Sequence, residues 1–256
     1  MDTTTVTCTA LPAVTWQIWS GNDTSLNHNI PVFRIAVSEA AGWLAHLDLV
    51  LSPYERARAD RYRRADDQIR FRCTRGLLRL LLGQFVRQPP DELQFVQGIT
   101  KKPALVNPKG YQFNVSHSGD WLLIAIGRID VGVDLEWISP EFPFQDVSQI
   151  SFSSREQQYI ESCSNPRLGF YQLWTRKEAL VKATGKGMDD AFDQIPSLPG
   201  THRTEAMLIG GMGHWEVTGF AVADGYPAAI AYHDPGPSLL VPVFYTLDSG
   251  RLIGGD

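Results

Sequence analysis

Apolar positions along this chain recur with two periods, and the places where one gives way to the other mark out its elements. The segment "IPVFRIAV" (30–37) is rich in β-branched residues and predicts a strand. From about residue 53 to residue 86 the apolar positions follow the helical period, with a break near Arg64–Asp67. Ser52, Pro53 and Glu55 predict how that helical stretch begins: a capping serine, proline at the first helical position, and a glutamate reaching back. Strands are expected at "LQFVQ" (93–97), "YQFNVSH" (111–117) and "WLLIAIG" (121–127), the last two joined by a turn at "HSGD". The second half repeats this order. A strand at 130–137 precedes helices at about 154–163 and 166–184. Ser153 with Glu156 caps the first helix; Asn165 and Pro166 start the second, and Gly185 stops it. Strands follow at 215–223 and 227–233, and glycine- and proline-rich loops at 186–200 and 234–240.

Strand, helices and hairpin, twice over, predict an α/β (α+β) fold of two similar lobes related by a pseudo-twofold axis. Each lobe would be a small sheet packed with helices, with a cleft between them. The lobes would take residues 30–129 and 130–256, leaving polar, turn-rich residues 1–29 as a loosely tied arm. At 256 residues the chain can bury a sizeable core. Its net charge of -5 argues against a general nucleic-acid binder. Cys8, Cys73 and Cys163 are too few and too scattered for a disulfide framework or a zinc site, which suits a reducing cytoplasm. The first residues lack the basic and apolar regions of a secretory signal. The greasy run "LLRLLLGQFV" is too short to cross a bilayer, so no membrane role is expected.

Candidate chemistry sits on two elements of the second half. Asp134 and Glu136, at i and i+2 of the 130–137 strand, project from one face. Two carboxylates on an otherwise apolar strand resist burial unless a cation joins them, and a hard ion such as Mg²⁺ would. The alternative is an edge strand with a wet polar face. On the 166–184 helix Glu178 and Lys182 are one turn apart, either as a surface ion pair or as a third carboxylate and an anion-binding lysine. Carboxylate-held metal and lysine around an anion are the equipment of phosphoryl transfer. In the first half, nine arginines lie between residues 56 and 79, offset only by Asp60, Asp66 and Asp67. Arg56 to Arg64 read as a solvated face. Arg70 and Arg75 are better placed beside a groove, one that suits a compact polyphosphate more than nucleic acid. His117, at a strand end, and the lysines of "KKP" (101–103) carry no specific signal alone.

Together these spacings do become specific. "RFRCTRGLLRLLL", "KKPAL", "FNVSHSG", "GVDLEW", "FSSRE" and "LWTRKEALVKATGKG", in this order, resemble the Sfp-like class of 4′-phosphopantetheinyl transferases over about residues 50–190. The resemblance implies a transferase that moves the 4′-phosphopantetheine arm of coenzyme A onto a serine hydroxyl of an apo acyl, peptidyl or polyketide carrier protein. Adenosine 3′,5′-bisphosphate would leave. It implies Asp134, Glu136 and Glu178 as Mg²⁺ ligands, Glu178 as a candidate to take the serine proton, and Lys182 on the pyrophosphate. Arg70, Arg75 and His117 would lie near the 3′-phosphate, Ser116 would be a further coenzyme A-binding residue, and Lys102 and Pro103 would lie at the adenine end. Two positions depart from the class: Lys101 stands where glycine is common, and Glu55 where some relatives carry a basic residue. Glu156 matches an acidic class position, which its capping role explains equally well. With both lobes in one chain, a monomer is expected.

A metal-dependent phosphohydrolase and a catalytically silent coenzyme A-binding module are the competing readings. Trp137, Phe142 and Phe144, in the segment after Glu136, are expected beside the cleft, as a carrier-docking surface, a lid or core.

Overall fold

The computed structural model describes residues 2–21, 24, 26, 28–97, 102–236, 240–248 and 252. The first part of the chain runs β1 (Thr3–Ala10), β2 (Gln17–Ile18), β3 (Asn29–Ala36), α1 (Val37–Ala41), α2 (Leu44–Leu49), α3 (Pro53–Ala59) and α4 (Ala65–Val86). Then come β4 (Phe95–Gln97), β5 (Pro103–Leu105), β6 (Gln112–Ser118), β7 (Trp121–Gly127) and β8 (Val131–Leu135). The rest is α5 (Phe144–Ser151), α6 (Ser154–Ser162), α7 (Pro166–Thr184), β9 (Gly200–Glu205), α8 (Ala206–Ile209), β10 (His214–Ala223), β11 (Tyr226–Asp234) and β12 (Val241–Thr246). Mixed α+β content arranged as small sheets packed with helices agrees with the expected class. The helix boundaries agree closely too, because their stop and start signals are local. Both capping boxes form: Ser52 with Glu55 opens α3, and Ser153 with Glu156 opens α6.

One five-stranded sheet has the order β8-β11-β10-β1-β9 and the other β2-β12-β3-β7-β6; β4 and β5 form a separate ribbon. The chain ends cross over between the sheets. β1 lies parallel to β10 and antiparallel to β9, with Val6 opposite both Trp215 and His202. β12 lies parallel to β3, with Phe244 opposite Val32. Residues 3–10 are therefore an inner strand of the second sheet and not a loosely tied arm. Thr4, Val6 and Cys8 turn inward while the intervening threonines face out, a half-buried strand pattern written mostly in β-branched residues. The boundary at 129/130 likewise does not separate the sheets, since β12 completes the first one. Both sheets show one parallel and two antiparallel pairings in series: β1, β10, β11, β8 in one and β12, β3, β7, β6 in the other.

The sheets meet face to face. Ile30, Val32, Leu123 and Ala125 from one pack against Val133, Phe220 and Ile230 from the other. Helices cover the outer faces: α4 lays Leu77, Leu78, Leu81, Leu82 and Phe85 on the first sheet, and α7 lays Ala179, Leu180 and Ala183 on the second. An apolar core thus fills most of the space between the lobes. What stays open is the margin, where the edge strands β6 and β8 run side by side. α5, unexpected from sequence, buries Phe144 against Phe170 of α7. Phe144 is therefore core, Phe142 is half-buried, and only Trp137 is substantially exposed, at 47%. No helix among the described residues is long and apolar enough to cross a membrane.

Candidate active site

The margin is built from two strands that exchange side-chain bonds in place of a backbone ladder. On β6, Asn114, Ser116 and Ser118 alternate on one face. Asn114 Oδ1 accepts from the Val133 N–H (3.0 Å), Ser116 Oγ from Leu135 (3.3 Å) and Ser118 Oγ from Trp137 (3.0 Å). The outward N–H groups of β8, an edge strand, and of Trp137 just beyond it are thereby satisfied. On β8 the same spacing turns Asp134 and Glu136 away from the inter-sheet face of Val133 and Leu135, toward α7. There Gly132 sets the distance: a Cβ at that position would lie 2.2 Å from the Ala179 carbonyl oxygen, so only glycine lets α7 press this close. That contact places Glu178 and Lys182 beside Asp134.

Asp134 is 2% exposed, so the wet-edge reading does not hold. Its Oδ1 accepts from Ser116 Oγ (2.9 Å) and from Lys182 Nζ (2.5 Å). Lys182 therefore pairs with the strand and not with Glu178 along the helix. Ser118 Oγ also donates to Glu136 (2.8 Å). Asp134 Oδ2 and Glu178 Oε1 are buried with no partner. Burial, and after it the Asp134 charge, pushes Glu136 and Glu178 up to about 7 each. Burial raises Asp134 as well, against the pull of Lys182 and Ser116. Among the described residues the three carboxylates do not all come within 4.8 Å of one another, as His214, Glu216 and Asp234 do elsewhere. Like charges repel, and Lys182 occupies one oxygen of Asp134. Even so, two buried carboxylate oxygens without donors and two glutamates resisting ionisation mark a set short of positive charge. Such a set fits a hard divalent cation.

Lys102, Pro103, Asn114, Glu178, Lys182 and Met188 line one cavity of about 360 Å³ against this cluster. Lys102 Nζ donates to the carbonyls of Val131 (3.1 Å) and Ala183 (2.8 Å), tying β8 to the end of α7. His117 is exposed by surface area. Its ring is still crowded enough by protein that burial, then the charge of Arg70, holds its pKa below the usual imidazole value. Arg70 donates to Asp67 (3.2 Å) and has a buried, unpartnered Nε. Arg75 is not brought to this group. Five residues along a helix is a turn of about 140° away from Arg70, and Arg75 is held on Glu55 at 2.6 Å over the Phe95 ring. Lys101 lies outside the described residues.

Comparison with known proteins decides the family. Residues 130–231 match the 4′-phosphopantetheinyl transferase superfamily, and residues 38–128 match the 4′-phosphopantetheinyl transferase N-terminal family. The chain is 36% identical to slr0495 of Synechocystis sp. over 177 residues, 66% of this chain and 71% of that protein. With 4′-phosphopantetheinyl transferase HetI of Nostoc sp. it shares 32% over 180 residues, 68% and 76% of the two chains. With Sfp of Bacillus subtilis it shares 26% over 147 residues, 57% and 65%.

The chain belongs to the 4′-phosphopantetheinyl transferase superfamily.

As a phosphopantetheinyl transferase it is an enzyme that uses coenzyme A as substrate and carrier proteins as partners. Two residues of this transferase's margin escaped the sequence reading, Asn114 and Ser118. The polar i, i+2, i+4 alternation in "FNVSHS" was the available signal, since nothing else explains three hydrogen-bonding side chains on one strand face. Lys177, beside Glu178 in the transferase motif, points the other way. It is 0% exposed, pairs with Glu156 (2.9 Å) and donates to the carbonyls of Ser151, Phe192 and Asp193. Glu156 also accepts from the Ser197 N–H (3.1 Å) and hydroxyl (2.6 Å). Its oxygens are fully used by cap, lysine and serine, which answers the question of its role in favour of structure.

Proposed function

We propose that this transferase moves 4′-phosphopantetheine from coenzyme A to a carrier serine in a Mg²⁺-dependent reaction at the β6–β8 margin. The serine Oγ attacks the phosphorus next to the pantetheine arm, the bond to the bridging oxygen breaks, and adenosine 3′,5′-bisphosphate leaves with the negative charge. The observation that carries the reading is the pair of partnerless buried oxygens, Asp134 Oδ2 and Glu178 Oε1, beside a lysine and a cavity. Asp134, Glu136 and Glu178 would hold the metal, which would neutralise the pyrophosphate.

Lys182, whose side chain is 30% exposed, can leave Asp134 to meet the leaving group, where its charge stabilises the developing anion. Glu178, a carboxylate beside the cavity, takes the serine proton, directly or through water. Ser116 positions Asp134 through their 2.9 Å bond. Lys102 and Pro103 line the adenine end, and Arg70 and His117 face the 3′-phosphate. Arg75, carried over from the family pattern, reaches that phosphate only by leaving Glu55. We read the protein as a cytoplasmic monomer. The three cysteines are free, and both β6 and β8 come from one chain, so the margin needs no second copy.

Incubation with coenzyme A, Mg²⁺ and an apo carrier protein, followed by mass spectrometry of the carrier, tests the reading. The carrier should gain one phosphopantetheine. Release of free phosphopantetheine would show a hydrolase, and binding without turnover a silent module.

A further inference from the structure

Buried cations in this fold are usually matched by an acid. Arg79 has Glu55 and two carbonyls, and Lys177 has Glu156 and three. Arg176 of α7 differs. It is 5% exposed, its Nη1 donates to the Ser197 carbonyl (2.8 Å), and its Nε is buried with no partner. Among the described residues no carboxylate lies within ion-pair distance of it. A buried guanidinium without a counter-charge is strongly unfavourable. Gly219 lies against that side of the group: a Cβ there would come within 3.2 Å of Nε.

Beside Arg176 is a cavity of about 350 Å³, walled by Leu11, Ile138, Leu168, Gln172, Phe220 and Tyr226. It shares no lining residue with the cavity at Lys102 and Lys182. Two residues along α7 put Arg176 about 160° around the helix from Glu178, so the two sites lie on different sides of α7. The walls are largely apolar, with one unmatched positive group. Asp224 at the rim disfavours a dianion such as phosphate.

We propose that this cavity is a binding site for a small monocarboxylate with an apolar body, its carboxylate held by Nη2 of Arg176, since Nη1 is spent on Ser197 and Nε is sealed against Gly219. The charge-assisted bond from the guanidinium holds the carboxylate, and the ring or short alkyl body would lie on Phe220, Leu168 and Ile138. The site is separate from the transfer chemistry and leaves the coenzyme A cavity open.

Calorimetric titration of the full chain with benzoate and with benzamide, in the presence of saturating coenzyme A, tests this. Benzoate should bind saturably, and benzamide roughly ten-fold or more weaker, because it lacks the charge. Arg176→Gln should weaken benzoate by a similar factor. Ala221→Phe, a change at an exposed lining residue that leaves Arg176 in place, should block the cavity and do the same. If Arg176→Gln fails to fold, Ala221→Phe decides. No benzoate binding, equal binding of benzamide, indifference to Ala221→Phe, or displacement by coenzyme A would each overturn the site.

Discussion

Two groups of buried carboxylates occupy this molecule, and they differ in what surrounds them. Glu55 and Glu156 each cap a helix and each meet buried cations: Arg75 and Arg79 for the first, Lys177 for the second. For Glu55, burial is outweighed by Arg75, Ser52 and Arg79, and the carboxyl is held below its usual range. Asp134 is as enclosed and Glu136 and Glu178 are half-buried, but the three have one lysine among them, and two of their oxygens are buried and meet nothing. Their pKa values move up. A satisfied buried carboxylate holds the fold together; an unsatisfied one waits for a ligand. The difference is measurable, because removing a group of each kind should have opposite consequences.

The largest effect is expected at Asp134. Asp134→Asn keeps the shape and the Ser116 contact but removes charge, so transfer should fall by roughly a hundred-fold or more. The melting temperature without metal should hold or rise, since a buried repulsive charge is gone. Carrier modification followed by mass spectrometry, alongside thermal melting, reads both; a folded variant with wild-type turnover would break the comparison.

Lys177 should show the reverse. Lys177→Met leaves Glu156 buried without its cation, a loss of about 3–5 kcal/mol. Denaturant unfolding should report that loss, while whatever fraction stays folded keeps its affinity for coenzyme A. A stability change under about 1 kcal/mol would mean that Lys177 and Glu156 do not depend on one another for the fold.

In the first lobe the same contrast separates Arg70 from Arg75. Arg70 has an unpartnered Nε and sits with His117; Arg75 is spent on Glu55. Arg70→Ala should shrink the preference for coenzyme A over dephospho-coenzyme A by about ten-fold. Arg75→Ala should change stability more than that preference. Steady-state kinetics with both substrates distinguishes them, and a larger preference change for Arg75→Ala would put the 3′-phosphate at Glu55's end of α4.

These contrasts were only partly visible in sequence. Asp134 and Glu136 share a face by strand period alone, and both capping boxes are spelled in four residues each, so local rules sufficed. Lys182 was read one turn from Glu178 on the same helix. Its actual partner, Asp134, is 48 residues away and depends on how close Gly132 lets α7 approach. Arg70 and Arg75 looked equivalent because the acid that claims Arg75 lies 20 residues upstream on another helix. β1 and β12 went unread because their partners stand at the far ends of the chain, and a threonine-rich strand carries little apolar signal.

The smallest effect is in pH. Without metal, Glu136 and Glu178 have folded values near 7 against 4.5 for the free side chain. Groups raised on folding stabilise fully below the unfolded value, and that contribution is lost as pH rises through the folded one. The melting temperature of metal-free protein should therefore decline between about pH 5 and about pH 8. Glu178→Gln should decline less. Parallel curves for the two proteins would mean that Glu178 ionises as freely folded as unfolded.

Metal binding itself tests the central claim most directly. Mn²⁺ is a paramagnetic substitute for Mg²⁺, and its binding can be followed by electron paramagnetic resonance in the wild type, Asp134→Asn, Glu178→Gln and Glu55→Gln. The account predicts that wild type and Glu55→Gln bind the ion, and that Asp134→Asn and Glu178→Gln lose it. Binding that survives in both of those variants would contradict it, and would direct attention to His214, Glu216 and Asp234 instead.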